Sequence, residues 1–197
     1  MINPLGVTSV ADVMTLIREH GNAVYLFLFT FGFSGFGFLP PMFAGYAAKL
    51  GALDPAWTFL VFWISSFLGD ELRFFIGRRW GHTILARVAW MKRPVETVVG
   101  ISSAYPTGFI LTYRFARGLR GIAAIVFGMS PIARARFSAL NLVGAGIWAG
   151  LFTGVGYSLG HVSEKVLGDG ANWAALVLLG IFILVGWLIS RRLQVVR

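Results

Sequence analysis

YPTGFILTYRFARGLRGIAAIVFGM, residues 105–129, is apolar enough to enter a membrane, yet it carries Arg114, Arg117 and Arg120 at its middle. As one straight spanning helix it would hold all three near the bilayer centre. Each such charge opposes insertion by about 2.5–3.5 kcal/mol, so the trio would cost roughly 8–10 kcal/mol. Gly118 and Gly121 weaken the helix where the charges fall, each by about 1 kcal/mol relative to Ala. A broken, re-entrant hairpin removes both difficulties. Two short arms dip in and return, and the arginines sit at a polar tip. Irregular backbone at membrane depth is tolerated only where protein buries it or a wet cavity lines it. The tip is therefore expected to line a cavity and bind an anion.

The rest of the composition agrees with a membrane setting. The chain has 197 residues, 57% hydrophobic and only 13% charged, which suits one compact integral membrane domain over 1–197. Its formal charge of +9 is spread through an apolar chain, so cytoplasmic loop bias and anionic lipid account for it better than nucleic acid does. Cysteine is absent, which excludes a disulfide framework and a thiol nucleophile. Residues 1–14 lack the basic and apolar regions of a signal peptide, so the first apolar stretch is expected to persist.

Along the chain, residues 8–20 read as a short amphipathic helix in the interface, with Val10, Val13, Met14 and Ile17 on one face. Residues 22–50 are apolar but interrupted by Gly32, Gly35, Gly37 and the pair Pro40 and Pro41. A break at 39–41 makes this a second re-entrant hairpin, with a kinked helix as the alternative. Pro55 to Gly77 is expected to span, with Asp70 and Glu71 inside its last turns. Those carboxylates either pair with Arg73, Arg78 or the tip arginines, or lie in the headgroup layer. Residues 78–93 are basic, and 94–104 look interfacial, with Val95, Val98 and Val99 on one side and Glu96 on the other. Phe137 to Gly160 and residues 173–190 are two further spans.

Charge bias tests the hairpin. Arg134 and Arg136 follow the central segment, and Arg191, Arg192 and Arg197 follow the last apolar stretch. If the central segment is re-entrant, these clusters and 78–93 all fall on the cytoplasmic side, the C-terminus included. If it spans, two of the three are external, against the positive-inside rule. Interfacial helix, broken hairpin and spanning helix then occur twice, at about 8–77 and about 94–160. The fold class is thus an all-α membrane protein with an inverted repeat and an added C-terminal transmembrane helix. Inverted repeats place substrate at the midplane between broken elements.

Several residues carry a resemblance. Gly69-Asp70, then Phe74-Phe75-Ile76-Gly77-Arg78 and Gly81, resemble the G-D-x-x-x-Y-x-[IL]-G-[RK]-x-x-G pattern of the DedA family, also called the SNARE-associated or VTT-domain family. Arg114-Phe115 followed by Arg120 is similar to its R-F-[IV]-P-x-x-R motif. Gly128, Phe137, Asn141, Gly144, Trp148, Gly156, Tyr157 and Gly160 match its later turn, phenylalanine and W…GY…G ending, and Pro40 matches the proline of its first hairpin. The match covers about 22–160. It implies a flippase or scramblase in a bacterial inner membrane, moving undecaprenyl phosphate or phospholipid between leaflets. Two departures stand out. Many members carry acidic residues around the first hairpin's proline, proposed to couple transport to protons, whereas 27–43 has none here. The proline between the arginines is replaced by Arg117.

Arg114, Arg120 and Arg117 are the expected headgroup ligands, because guanidinium offers a planar donor fork and keeps its charge in apolar surroundings. At i, i+3 and i+6 a continuous helix would gather them on one side. The competing reading has them pair structurally with Asp70 and Glu71. Asp70 is also a candidate counter-charge that releases substrate, or a proton site. His20, His82 and His161 stand far apart, so no metal site and no cofactor are expected. Serines show no neighbouring His and Asp, which argues against an intramembrane hydrolase and for a non-enzyme. Gly146, Gly150 and Gly154 permit close packing within a subunit or a homo-oligomer seam. A small-ion or drug transporter and a non-transporting scaffold are the rival functions.

Overall fold

The computed structural model describes residues 21–35, 37–87, 95–96, 98–100, 105–115 and 120–167. The expected interfacial helix at 8–20, Arg117 and the C-terminal span at 173–190 lie outside these residues. Regular structure among the described residues is all helical. It comprises α1 (Gly21–Ser34), α2 (Leu39–Lys49), α3 (Pro55–Arg87), α4 (Pro106–Thr112) with a 3-10 turn at Tyr113–Phe115, α5 (Arg120–Met129) and α6 (Arg134–Leu167).

Neither of the two expected hairpin segments forms one continuous α-helix, and the first is interrupted at a different residue from the one expected. α1 stops at Gly35, whose φ of +78° suits glycine, and Gly37 follows at +53°. Pro40 and Pro41 do not form the break. They occupy the first turn of α2, where a missing N–H loses no helical bond. α2 ends in a Schellman turn: Ala52 N donates to Ala47 O at 3.0 Å and Gly51 N to Ala48 O at 3.1 Å, with Gly51 at φ +74°. At the start of α3, Asp54 Oδ1 accepts from Trp57 N at 2.8 Å, capping the helix.

The long helices form the centre. α3 takes α1 and α5 on its sides, α6 takes α2 and α4, and α3 packs on α6. Close approach depends on small residues, as expected where packing rather than water drives helix association. A Cβ on Gly69 would lie 2.2 Å from Phe33 O, one on Gly128 2.2 Å from Phe74 O, and one on Gly77 2.0 Å from Ile125 O. On the α6 side, a Cβ on Gly156 would lie 1.9 Å from Met42 O, whereas one on Gly154 would meet nothing. Gly146 and Gly150 face Trp63 and Phe59, so much of the glycine ladder packs inside the subunit.

Two apolar cores result. Phe74, Phe109, Ile110, Tyr113, Phe127 and Phe137 build one, and Ala44, Ala48, Leu53, Phe62, Trp148 and Ala149 the other. Val95 and Val98 join the first core, but Val99 is half exposed, so the three valines do not share one face. The outer face of α6 leaves Val143, Ile147 and Leu151 exposed, while Asp70, Arg114, Arg120 and Asn141 are buried. Apolar outside and polar inside is the arrangement of a protein solvated by lipid.

Residues 134–161 of α6 are long and apolar enough to cross a bilayer, and among the described residues no other helix passes on both counts. The expected span Pro55–Gly77 sits inside the 33-residue α3. Its length suffices, but Asp70, Glu71 and Arg73 dilute its apolar run. Those charges are tolerated because neighbouring elements answer them.

Candidate functional site

Where the end of α1, the 3-10 turn and the start of α5 meet α3, the apolar cores part around a polar cluster. α3 supplies Ser66, Asp70 and Arg73, spaced i, i+4 and i+7 so that they share one face. The 3-10 turn supplies Tyr113 and Arg114, α5 begins with Arg120, and α6 contributes Asn141 and Trp148.

Asp70 is wholly buried, accepts hydrogen bonds from two groups and forms an ion pair with a third. Arg73 Nη1 reaches its Oδ1 at 2.8 Å. Arg114 Nη2 approaches its Oδ2 at 2.9 Å, and the Tyr113 hydroxyl donates to that same oxygen at 2.8 Å. Arg73 Nη2 also donates to the carbonyls of Phe33 at 2.9 Å and Ser34 at 2.6 Å. It places a cation at the C-terminus of α1, where the helix dipole favours one. Asp70 and Arg73 thus tie the end of α1 and the 3-10 turn to α3.

Arg114 and Arg120 converge on one hydroxyl. Arg114 Nη1 donates to Ser66 Oγ at 2.8 Å, and Arg120 Nη2 donates to the same atom at 2.6 Å. Arg114 Nη2 also donates to Asn141 Oδ1. The Arg120 guanidinium lies 4.3 Å above the centre of the Trp148 ring, a cation–π contact strengthened by desolvation. The Nε groups of Arg114 and Arg120 are buried without a hydrogen-bond partner among the described residues. Orphan donors of this kind call for an explanation. Among the described residues, Arg73 and Arg114 pair with Asp70 and Arg120 adds a third guanidinium beside Ser66, so positive charge stays in excess even when Glu71 is counted.

The structure brings Arg114 and Arg120 to one hydroxyl, by a different route from the one the sequence suggested. Arg114 and Arg120 do not meet through helical periodicity, since Arg114 lies in the 3-10 turn and Arg120 begins α5, a separate element. Glu71 does not join the arginines directly. It accepts from Ser138 Oγ at 2.8 Å and Asn141 Nδ2 at 3.0 Å, facing α6. Arg78, a candidate partner of the carboxylates, instead donates to the carbonyls of Ser130 at 2.8 Å and Ile132 at 2.5 Å. Tyr157 is exposed at 41% and lies outside the cluster. Sequence reasoning missed Ser66 and Tyr113 altogether, although Ser66 stands one turn before Asp70 in an otherwise apolar run, a readable signal.

Two curated proteins of Escherichia coli K12 are similar to this chain. The inner membrane protein YohD is 28% identical over 186 residues, covering 92% of this chain and 95% of YohD. Protein DedA is 27% identical over 161 residues, covering 75% of this chain and 74% of DedA. No protein-family model matches the chain, and no solved structure matches it. Similarity along nearly the whole chain makes this protein a homologue of YohD and DedA, membrane proteins of the DedA family.

Proposed function

We propose that this protein is a transporter rather than an enzyme, moving a phosphate-bearing lipid such as undecaprenyl phosphate or a phospholipid between the leaflets of a bacterial inner membrane. The observation that carries this reading is the buried pair Arg114 and Arg120, with unpartnered Nε donors and a local excess of positive charge. An anionic headgroup offers the acceptors and the negative charge that the cluster lacks. α5 also begins at Arg120, and helix N-termini favour anions. The tail stays in lipid along the apolar outer faces of α3 and α6.

In this reading α1 with α2, and α4 with α5, are re-entrant hairpins of two inverted repeats, with the C-terminus cytoplasmic. The exchange of partners supports it: each long helix holds the first arm of the hairpin that precedes it and the second arm of the other. Two units related by a two-fold axis would pack this way. Rocking of one hairpin against the other alternates access to the site.

The test is leaflet exchange in proteoliposomes with undecaprenyl phosphate and with phospholipids. Arg120→Ala is expected to slow exchange by at least about tenfold, the value of one hydrogen bond to a charged group. Wild-type exchange by Arg120→Ala would refute the site. Ion flux that ignores lipid type would favour an ion transporter instead.

A further inference from the structure

Among the described residues, the Glu71 carboxylate makes no direct contact with the arginines of the reading above. Glu71 stands next to Asp70 in sequence, yet it points to α6 rather than to the arginines. Its two oxygens are taken by donors one helical turn apart, Ser138 Oγ on Oε2 at 2.8 Å and Asn141 Nδ2 on Oε1 at 3.0 Å. Asn141 is wholly buried. Its Nδ2 also donates to Phe67 O at 3.3 Å, and its Oδ1 accepts from Arg114.

A side-chain amide has an oxygen face and a nitrogen face, and the neighbours decide which way it sits. In the opposite orientation the Asn141 NH2 would confront the Arg114 guanidinium, donor against donor. Its oxygen would meanwhile confront the Glu71 carboxylate and the Phe67 carbonyl, acceptor against acceptor. Phe67 O is a weak constraint at its distance, so the carboxylate supplies most of the discrimination. Arg114 in turn shares Ser66 with Arg120.

We infer that Glu71 is a positioning residue for the arginine site, acting through the Asn141 amide to present an acceptor to Arg114. This rests on the anion-binding reading proposed above. The same geometry gives Ser138 a role, since it holds the second carboxylate oxygen and fixes the carboxylate plane.

The experiment measures binding of a soluble probe, dihexanoyl phosphatidic acid, to the full chain in detergent. Glu71→Ala and Asn141→Asp are each expected to weaken binding about tenfold, the value of one hydrogen bond to a charged group. In Asn141→Asp two carboxylates face each other and no donor joins them. The double variant E71Q/N141D restores the relay with its polarity reversed, the glutamine amide donating to the new carboxylate, and binding returns to within about twofold of wild type by the same bond count. In an Arg114→Met background, Glu71→Ala has no further effect, which a purely structural anchor between α3 and α6 would not produce.

A double variant no better than N141D overturns the inference. So does a Glu71→Ala effect that persists without Arg114. If Arg120→Ala binds the probe as wild type does, the anion site itself is wrong. If Arg120→Ala loses binding while Glu71→Ala and Asn141→Asp keep it, the site stands and only the relay falls.

Discussion

Replacing Asp70 with Asn removes one charge from the centre of the molecule and leaves its shape. Asp70 takes Arg73 on one oxygen and Arg114 with Tyr113 on the other. An asparagine keeps one acceptor and turns an NH2 toward one of the two guanidinium groups, whichever way it sits. Arg73 is the better placed to survive, since its side chain is 17% exposed and retains the carbonyls of Phe33 and Ser34. Arg114 is not: its side chain is fully buried, and its charge loses its counter-ion. Breaking a buried ion pair from one side costs about 3–5 kcal/mol. Ser66 and Asn141 still bond Arg114, which places the expected loss near the lower end, about 3 kcal/mol. The assay is reversible unfolding in mixed micelles, titrating the mole fraction of a denaturing detergent. Arg114→Met in the Asp70→Asn background removes the stranded charge and is expected to recover part of the loss, so the two changes are strongly non-additive. Asp70→Asn within about 1 kcal/mol of wild type, far under the penalty for a stranded buried charge, would refute this account of the cluster. Additive losses in the double variant would do the same.

Two further outcomes follow from packing. Gly128→Ala and Gly156→Ala place a Cβ 2.2 Å from Phe74 O and 1.9 Å from Met42 O, and each is expected to destabilise by about 1–3 kcal/mol in the same titration. Gly154→Ala meets open space and is expected to be neutral or to gain up to about 1 kcal/mol from helix propensity; equal effects at all three positions would contradict the helix contacts. Trp148→Leu removes the ring under Arg120 and is expected to destabilise by about 2 kcal/mol, with most of that loss absent in an Arg120→Met background. A loss that ignores Arg120 would assign Trp148 to core packing alone.

Much of the architecture was legible because its causes are local. Three arginines in an apolar run are costly wherever that run lies, so a broken segment at 105–129 could be read before any neighbour was known. Gly35 and Gly37 announced the first break, although the prolines drew attention four residues too far along. Proline at a helix start and proline at a helix break look alike in sequence, and only the backbone path separates them. The site was legible in its charges and illegible in its hydroxyls. An arginine inside a membrane demands a partner, whereas a serine in an apolar helix satisfies itself on its own backbone as readily as it bridges two guanidinium groups.

The sequence by itself determined that the chain is helical and apolar, that its first apolar segment is interrupted somewhere between Gly32 and Pro41, and that Arg114 and Arg120 must be answered by something. These follow from transfer energies and backbone preferences, which belong to a residue and its near neighbours. Tertiary structure alone decided which partners answer. Arg114 meets Ser66 across 48 positions and Asn141 across 27, and Asn141 meets Glu71 across 70. Asp70 and Glu71 are adjacent carboxylates of the same chemistry, yet successive residues of a helix point about 100° apart. That angle sends Asp70 to the arginines and Glu71 to α6, and it acquires meaning only once the helices that receive them are in place.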